Sequence, residues 1–564
     1  MIVAAPAGRR QSLWIPGSVA ITLAVMAPIF ALIAVAAAGS EDLWSHLLAY
    51  VLPAALRDTV ALLAGVGILT ALIGTGTAWL VAAHDFPGRK IFDWALLLPL
   101  AVPTYIIAYA YLDLLHPVGP VQTALRALLG IDSPRDFRLP DIRSLAGCIL
   151  LLGFVLYPYV YLTTRALFLM QSANLIDAAR TLGLARGAVF RRVVLPLARP
   201  AIVIGVSLAL LEALNDIGAS EFLGVRTLTV SVYTTWVTRS DLPGAAQIAL
   251  VMLFVVVGII LFERMGRRHR RYTNDASNPR PLARHRLRGV AAGAAMTACA
   301  LPVAVGFLLP ATYLADQSFA RFRRVGASPA LVSEALNTVA LSVIATILAV
   351  ALALIVVYAS RLRRGTLGPF LVHASSLGYA LPGTVLAIGM LPIITGVEAA
   401  VDSFAMRLWG VSTGLFLLGS GGAIVYAYTI RFLAVAAGSI EAGFSRVSPS
   451  LDASARTLGQ SASGTLWRIH LPLTRPAITA GALLVFVDCM KELPATLLLR
   501  PLGFETLSTH LYGEAVRGTY EDAAIAALLI VAAGLVPVLI LIRLRTGAES
   551  SDVRASSGAG YLQK

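Results

Sequence analysis

Two pairs of carboxylates stand near the ends of long apolar stretches. Glu212 and Asp216 occur in LLEALNDIGASEFLG, and both lie beside an uncharged run. Asp488 and Glu492 occur in VFVDCMKELPATLLLRP, with Lys491 between them. Ionisable residues in apolar spans are costly and mark functional positions by default, and carboxylate oxygens suit hard cations. The four-residue spacing places each pair on one helical face, so we expect the carboxylates to line a substrate pathway.

A structural role is the alternative for these carboxylates. Lys491 would then neutralise Asp488 in a buried pair, and the other acids would lie near the outer interface. We predict no fixed metal site and no catalytic residue. The three cysteines lie in or near apolar runs without metal-ligand spacing; they are Cys148, Cys299 and Cys489.

The composition of the chain is that of a membrane protein. Of its 564 residues, 58% are hydrophobic and only 13% are charged, whereas soluble domains have about a quarter charged residues. Uncharged runs such as 17–38, 145–162 and 523–542 can each cross a hydrocarbon core of roughly 30 Å as a helix. The runs are continuous rather than alternating, which favours helices over a barrel. We therefore predict an all-α polytopic membrane protein.

About twelve transmembrane helices in two parallel six-helix repeats are expected. In the first half the spans are near 17–38, 59–83, 92–115, 145–171, 200–224 and 244–263. In the second half they are near 288–311, 335–359, 370–395, 412–438, 475–499 and 521–543. Because six is an even number, both halves enter the membrane in the same direction, as in parallel repeats related by an axis along the membrane normal.

The predicted organisation has four parts. They are a first half (1–262), a basic linker (263–289), a second half (290–545) and a C-terminal tail (546–564). The net charge is +15, but the basic residues lie mostly in short loops beside apolar runs, which indicates membrane orientation rather than nucleic-acid binding. The basic side is expected to be cytoplasmic, with both termini inside.

The N-terminal apolar run has two interpretations. Arg9 and Arg10 precede it, and it ends in AVAAAGS, which resembles the cleavage site of a signal peptide. The run is long for a signal peptide, whose apolar core is about 7–15 residues. A retained first helix is therefore favoured over a cleaved signal.

One polar segment occurs twice. RTLGLARGAVFRRVVLPLARPAI begins at Arg180 and RTLGQSASGTLWRIHLPLTRPAI begins at Arg456, with twelve of 23 positions identical. The first copy carries Asp177, Ala178, Ala179, Gly183, Leu195 and Pro196. The second carries Asp452, Ala453, Ala455, Gly459, Leu471 and Pro472, so its acid lies one position early. The glycines are expected to adopt positive φ in a sharp turn, and the prolines to end one helix and begin the next.

This spacing resembles the EAA loop of ABC-transporter permeases, in which E-A-A, G and I-x-L-P recur at the same intervals. The duplicated layout extends the resemblance over nearly the whole chain. Three tracts, LPLAVPTYIIAYAYLDLL, LNDIGASEFLGVRTLTVSVYTTWV and KELPATLLLRPLGFETLSTHLY, are similar to the fused two-half permeases of ferric-iron importers. Related permeases for thiamine or aminoethylphosphonate are the alternative.

The resemblance implies an inner-membrane transport subunit rather than an enzyme. Its two repeated loops would dock on two copies of a cytoplasmic ABC ATPase, which alone would use ATP and Mg²⁺, and a periplasmic binding protein would deliver iron. The chain has no GxxxxGK[ST], so it carries no P-loop and is expected to bind no cofactor. A secondary transporter driven by an ion gradient also uses parallel repeats; the paired loop argues against it.

Overall fold

A computed structural model describes residues 14–39, 43–131, 133–170, 173–267, 284–326, 329–362, 365–519 and 522–536. The predicted all-α class is confirmed. In these ranges the only strands are two-residue segments, β1 (His84–Asp85) and β2 (His285–Arg286), which pair in parallel. The tail 546–564 and most of the linker lie outside the described residues.

The first half of the chain folds into thirteen described α-helices. They are α1 (Trp14–Ala38), α2 (Leu43–His46), α3 (Leu52–Ala83), α4 (Arg89–Ala95), α5 (Thr104–Leu114), α6 (Pro120–Leu129), α7 (Leu145–Met170), α8 (Ala173–Thr181), α9 (Arg186–Val189), α10 (Leu195–Asn215), α11 (Gly218–Phe222), α12 (Leu228–Val237) and α13 (Leu242–Arg267). A 3₁₀-helix, Leu98–Ala101, precedes α5.

The second half adds thirteen more within the described ranges. They are α14 (Gly289–Val303), α15 (Leu309–Val325), α16 (Pro329–Leu362), α17 (Leu367–Ser375), α18 (Leu377–Ala380), α19 (Gly383–Trp409), α20 (Gly422–Ser445), α21 (Pro449–Thr457), α22 (Ala462–Thr465), α23 (Leu471–Met490), α24 (Pro494–Leu499), α25 (Leu507–Arg517) and α26 (Asp522–Val536).

Ten helices in the described ranges are long and apolar enough to span a membrane. An eleventh span is a pair, Arg89–Ala101 and Thr104–Leu114, bent by 91°, and α26 is the apolar helix at the twelfth expected position. The helical, multi-spanning architecture therefore agrees with the sequence prediction.

The predicted third and ninth spans were wrong in detail, because each is broken before a proline. Val102 and Leu381 have extended backbones, with ψ of 120° and 126°, as the ring of a following proline requires. The helices α5 and α19 begin directly after Pro103 and Pro382. The predicted tenth span, 412–438, also begins late, since α20 starts at Gly422.

Four π-helical segments occur in the described part of the chain, and a Leu-Pro pair follows each one. They are Leu47–Val51, Phe190–Val194, Ala304–Leu308 and Leu466–His470. In each case the leucine before the proline donates its N–H to the carbonyl five residues back. A proline has no N–H and its ring crowds the carbonyl four residues back, so the wider turn allows the helix to continue through it.

This finding corrects the expectation for Pro196 and Pro472. They do not end one helix and begin another, because Gly187–Asn215 and Ala462–Met490 are continuous spans. The short helices of the repeated loops therefore run directly into membrane helices.

The described residues pack into two compact units, and each unit draws on both halves of the sequence. One contains residues 14–55, 228–256 and 329–510, and the other contains 56–227, 257–326 and 511–536. In the first unit, α1 packs on α16 and α19. The compact units thus differ from the sequence halves 1–262 and 290–545, whose duplication remains a prediction about sequence order.

Helices cross closely at equivalent glycines in the two units. An added Cβ at Gly205 in α10 would lie 2.6 Å from the Cα of Val160 in α7. At Gly481 in α23, the equivalent position, it would lie 2.7 Å from the Cβ of Ser439 in α20. These small residues allow the helix that follows each repeated loop to pack directly on its neighbour.

Candidate coupling loops and intramembrane carboxylates

The first repeated loop consists of α8, a turn and α9. Gly183 lies in the turn with φ of +84°, as the sequence predicts. Asp177 and Ala178 are exposed, whereas Ala179 is buried. Leu195 and Pro196 are half-buried where the loop joins α10. Thus Ala179 lies on a face that packs on the permease, and Ala178 lies on the exposed face.

The second repeated loop has the same design in α21 and α22. Gly459 has φ of +74°, Ala455 is buried and Ala453 is exposed. Two serines cap its helices: the Ser448 hydroxyl accepts from the Ser450 N–H at 3.3 Å, and the Ser461 hydroxyl accepts from the Gly464 N–H at 3.1 Å. Such side-chain caps stabilise short helices. At its end, Leu471 is half-buried and Pro472 is exposed.

Each loop presents a leucine at the tip of its turn. The side chains are Leu182, which is 84% exposed, and Leu458, which is 79% exposed. A Cβ placed on the adjacent Gly183 or Gly459 would meet no atom within 4 Å. Each tip therefore exposes an apolar leucine. The adjacent glycine is needed for its positive φ and not for lack of space.

The acids of the two loops differ in their surroundings. Asp177 is exposed. Asp452 instead accepts from Nε of Arg361 at 3.0 Å, and its other oxygen lies 2.6 Å from Nε2 of His470. Sequence reasoning missed Arg361 and His470 as loop residues, although the change from Val194 to His470 between the repeats was a visible signal.

Asp216 is buried and caps a short helix. Its Oδ1 accepts from the N–H groups of Ala219 and Ser220 at 2.7 and 3.3 Å, and its Oδ2 accepts from the Thr104 hydroxyl. These N–H groups belong to the first turn of α11, where backbone N–H groups have no carbonyl acceptor within the helix. The carboxylate thus holds α11 on the start of α5.

Glu492 performs the equivalent task in the other unit. Its oxygens accept from the N–H groups of Ala495 and Thr496 at 3.0 and 3.1 Å, in the first turn of α24. Nη1 of Arg431 lies 3.0 Å from Oε1 and forms a buried ion pair. An added Cβ at Gly383, the counterpart of Thr104, would lie 2.4 Å from that nitrogen, so glycine there leaves room for the pair.

The predicted one-face arrangement of the carboxylate pairs was wrong, because α10 ends at Asn215 and α23 ends at Met490. The second acid of each pair therefore lies beyond the helix. Glu212 is half-buried within α10. Asp488 and Lys491 are partly exposed and form an ion pair of 2.8 Å. Their pathway role stays a prediction.

Thr104, Gly383 and Arg431 were not identified from the sequence. Arg431 lies in the apolar helix α20 and is buried, so an ionisable residue inside a span was the signal that could have found it. Within the described ranges, no group of three His, Cys, Asp or Glu side chains could hold a metal ion.

Comparisons with known proteins found one matching family and several similar proteins. Residues 71–271 match the family described as binding-protein-dependent transport system inner membrane component. The probable ABC transporter permease protein y4fN of Sinorhizobium fredii is 26% identical, over 89% of each chain. The Fe(3+)-transport system permease protein FbpB 2 of Haemophilus influenzae is 23% identical, over 86% of this chain and 89% of the relative.

A shorter relative gives a stronger identity. A probable molybdenum ABC transporter permease protein of Haloferax volcanii is 32% identical over 214 residues, which cover 37% of this chain and 74% of the relative. All three of these relatives are named as permease proteins. The chain therefore belongs to the binding-protein-dependent inner-membrane components, the multi-pass permeases of ABC transporters.

Proposed function

We propose that this permease carries ferric iron, delivered by a periplasmic binding protein, in an importer driven by two copies of a cytoplasmic ABC ATPase. The observation that carries the ATPase-driven part of the proposal is the paired loop. Each copy joins a positive-φ glycine, an exposed leucine and a continuous helix into the membrane. A rigid element of this kind transmits a displacement at its tip to the span that follows.

The mechanism is alternating access. ATP-driven closure of the ATPases displaces the loops, and α10 and α23 move with them because the π segments keep loop and span continuous. The chain itself binds no nucleotide and forms no covalent intermediate. The loops lie on the cytoplasmic side, and both termini are cytoplasmic, as the basic loops indicate.

Charge supports a cation rather than an oxyanion. The candidate pathway residues comprise four acids and one lysine: Glu212, Asp216, Asp488, Glu492 and Lys491. Of these acids, Asp216 and Glu492 cap helices and Asp488 pairs with Lys491 at 2.8 Å. Carboxylate oxygens suit hard cations and repel molybdate or a phosphonate.

Replacing both Gly183 and Gly459 with valine is expected to reduce co-purification of the ATPase by at least about tenfold. A positive φ costs a residue with a Cβ about 1–2 kcal/mol, and a branched side chain would also occupy the open tip. The measurement is the amount of ATPase retained by the purified permease. The Gly183→Asn and Gly459→Asn pair is the matched control, since asparagine tolerates this conformation. Retention by the valine variant would overturn the coupling-loop assignment.

Uptake by vesicles that contain the permease, the ATPase and the binding protein tests the substrate. We expect ATP-dependent accumulation of labelled Fe³⁺, with no accumulation of molybdate, thiamine or 2-aminoethylphosphonate. Uptake should stop without ATP and persist when ion gradients are dissipated, which separates this transporter from a gradient-driven one. Accumulation of any of the other three compounds in place of iron would refute the iron assignment and leave the ABC permease assignment intact.

A further inference from the structure

The second coupling loop is attached to the membrane helices by a network of charged side chains. Asp452 in α21 is its centre. One oxygen accepts from Nε of Arg361 at 3.0 Å and lies 2.9 Å from Nη2 of the same residue, while the other lies 2.6 Å from Nε2 of His470. Charge-assisted hydrogen bonds of this kind are about twice as strong as neutral ones.

Arg361 joins three helices. It lies near the end of α16, and besides Asp452 it donates to the carbonyls of Phe444 and Val447 at 2.6 and 2.9 Å. Those carbonyls lie at the end of α20 and in the connection to α21. A guanidinium has five donors in a rigid plane, so one side chain fixes the position of the loop relative to two spans.

His470 fixes the loop from the other side. The ring is completely buried in the last position of the π segment that leads into α23. It packs against Tyr358 and Phe444, with centroid distances of 5.7 and 5.2 Å. The Tyr358 hydroxyl also donates to the carbonyl of Ala462 at 2.6 Å. Both short helices of the second loop are thereby bonded to the spans.

The first loop has the same aromatic base, but apolar residues stand at the positions of Asp452 and His470. Trp79 and Phe168 pack edge to face at 5.4 Å, as Tyr358 and Phe444 do at 6.2 Å. In the register of the repeat, Ile176 stands where the second half has Asp452, and the buried Val194 stands where it has His470. Among the described side chains of the first loop, Ala179 and Val189 pack in an apolar cluster, and apolar contacts have no fixed directions.

We propose that Arg361 and His470 are positioning residues that lock the second coupling loop to its own membrane helices through Asp452, so that the two coupling loops are mechanically unequal. The inference rests on the proposed role of the loops in binding the ATPase. The acid of the second loop serves the permease itself, and the exposed Asp177 is the acid that faces the partner. Displacement of the second loop therefore moves α16, α20 and α23 together.

A spin label at the loop tips tests the lock in the purified full-length permease. The labels are attached through Leu458→Cys and Leu182→Cys, and the three native cysteines are buried. Asp452→Asn, which keeps size and removes the charge, should raise the ratio of mobile to immobile label at position 458 about tenfold, since a lost charged hydrogen bond is worth about 1–3 kcal/mol. Asp177→Asn, read at position 182, is the matched control and should leave the spectrum unchanged.

An unchanged spectrum at position 458 would overturn the lock. Arg361→Lys keeps the charge but loses the planar set of donors, and we expect an intermediate mobility. If Asp452→Asn does not fold, Arg361→Lys replaces it in the test. A label at position 458 that stays fully immobile in Arg361→Lys would also contradict the inference.

The assembled transporter gives the functional readout. Asp452→Asn should retain the ATPase but transport several-fold less substrate per ATP hydrolysed, whereas Asp177→Asn should reduce the amount of ATPase retained. A normal ratio in Asp452→Asn would refute the positioning role. If the valine variants of Gly183 and Gly459 retain the ATPase while the spin label still reports release, the proposed function fails and the lock stands.

Discussion

Replacing Glu492 with alanine is expected to destabilise the permease by about 3–5 kcal/mol, the usual cost of leaving one partner of a buried ion pair alone. The change strands the buried guanidinium of Arg431, whose Nε already has no hydrogen-bond partner. It also removes the acceptor of two N–H groups in the first turn of α24. The measurement is the thermal unfolding of the purified protein in detergent.

Asp488→Ala is the matched control on the preceding helix. Its partner Lys491 is 31% exposed and Asp488 is 24% exposed, so the pair is worth no more than about 1 kcal/mol. Equal melting temperatures for the Glu492 and Asp488 variants would contradict the structural role of Glu492. A uniform loss of transport in both, at normal stability, would instead favour the pathway role for the two acids.

Replacing Gly205 with alanine is expected to cost about 2–3 kcal/mol, in the upper range for overpacking. The added methyl would lie 2.6 Å from the Cα of Val160 and 2.9 Å from the carbonyl oxygen of Tyr159. Backbone atoms cannot rotate away, so α7 and α10 must separate. Unfolding in detergent measures the loss.

The equivalent Gly481→Ala is expected to cost less, about 1 kcal/mol. Its methyl would lie 2.7 Å from the Cβ of Ser439, which side-chain rotation does not move, but no backbone atom lies as close, since the Cα of Ala436 is 3.8 Å away. Gly438→Ala in α20 is the control, since nothing lies within 4 Å and alanine favours the helix by about 1 kcal/mol. A larger loss at Gly481 than at Gly205 would contradict this ranking.

The apolar runs predicted the spanning helices because length and hydropathy alone determine which segments can cross a bilayer. They did not predict the breaks at Val102 and Leu381. There the ring of the following proline forces an extended backbone, although the neighbouring residues are apolar and would continue a helix. The late start of α20 has a similar local cause. Gly410 and Gly414 adopt positive φ and end the helical path, although the residues around them are apolar.

The turns of the repeated loops could be predicted from the sequence, but the contacts of the carboxylates could not. A repeated spacing reveals Gly183 and Gly459 because the same local turn is encoded twice. The partners of Glu492 come from distant elements, since Arg431 lies 61 positions earlier in the chain. The four-residue spacing suggested that both acids of a pair lie on one helical face. The second acid of each pair instead caps the next helix. For Glu492 this is visible only because α23 ends at Met490.

The wide turns before Leu195-Pro196 and Leu471-Pro472 have a consequence for the history of the chain. A π turn places one extra residue in an α-helix, and both copies carry it in the same register. Under the predicted duplication of the two halves, this extra residue belongs to the ancestral half. Under the same prediction, the differences between Ile176 and Asp452 and between Val194 and His470 arose after the duplication, when the two copies no longer had to be identical.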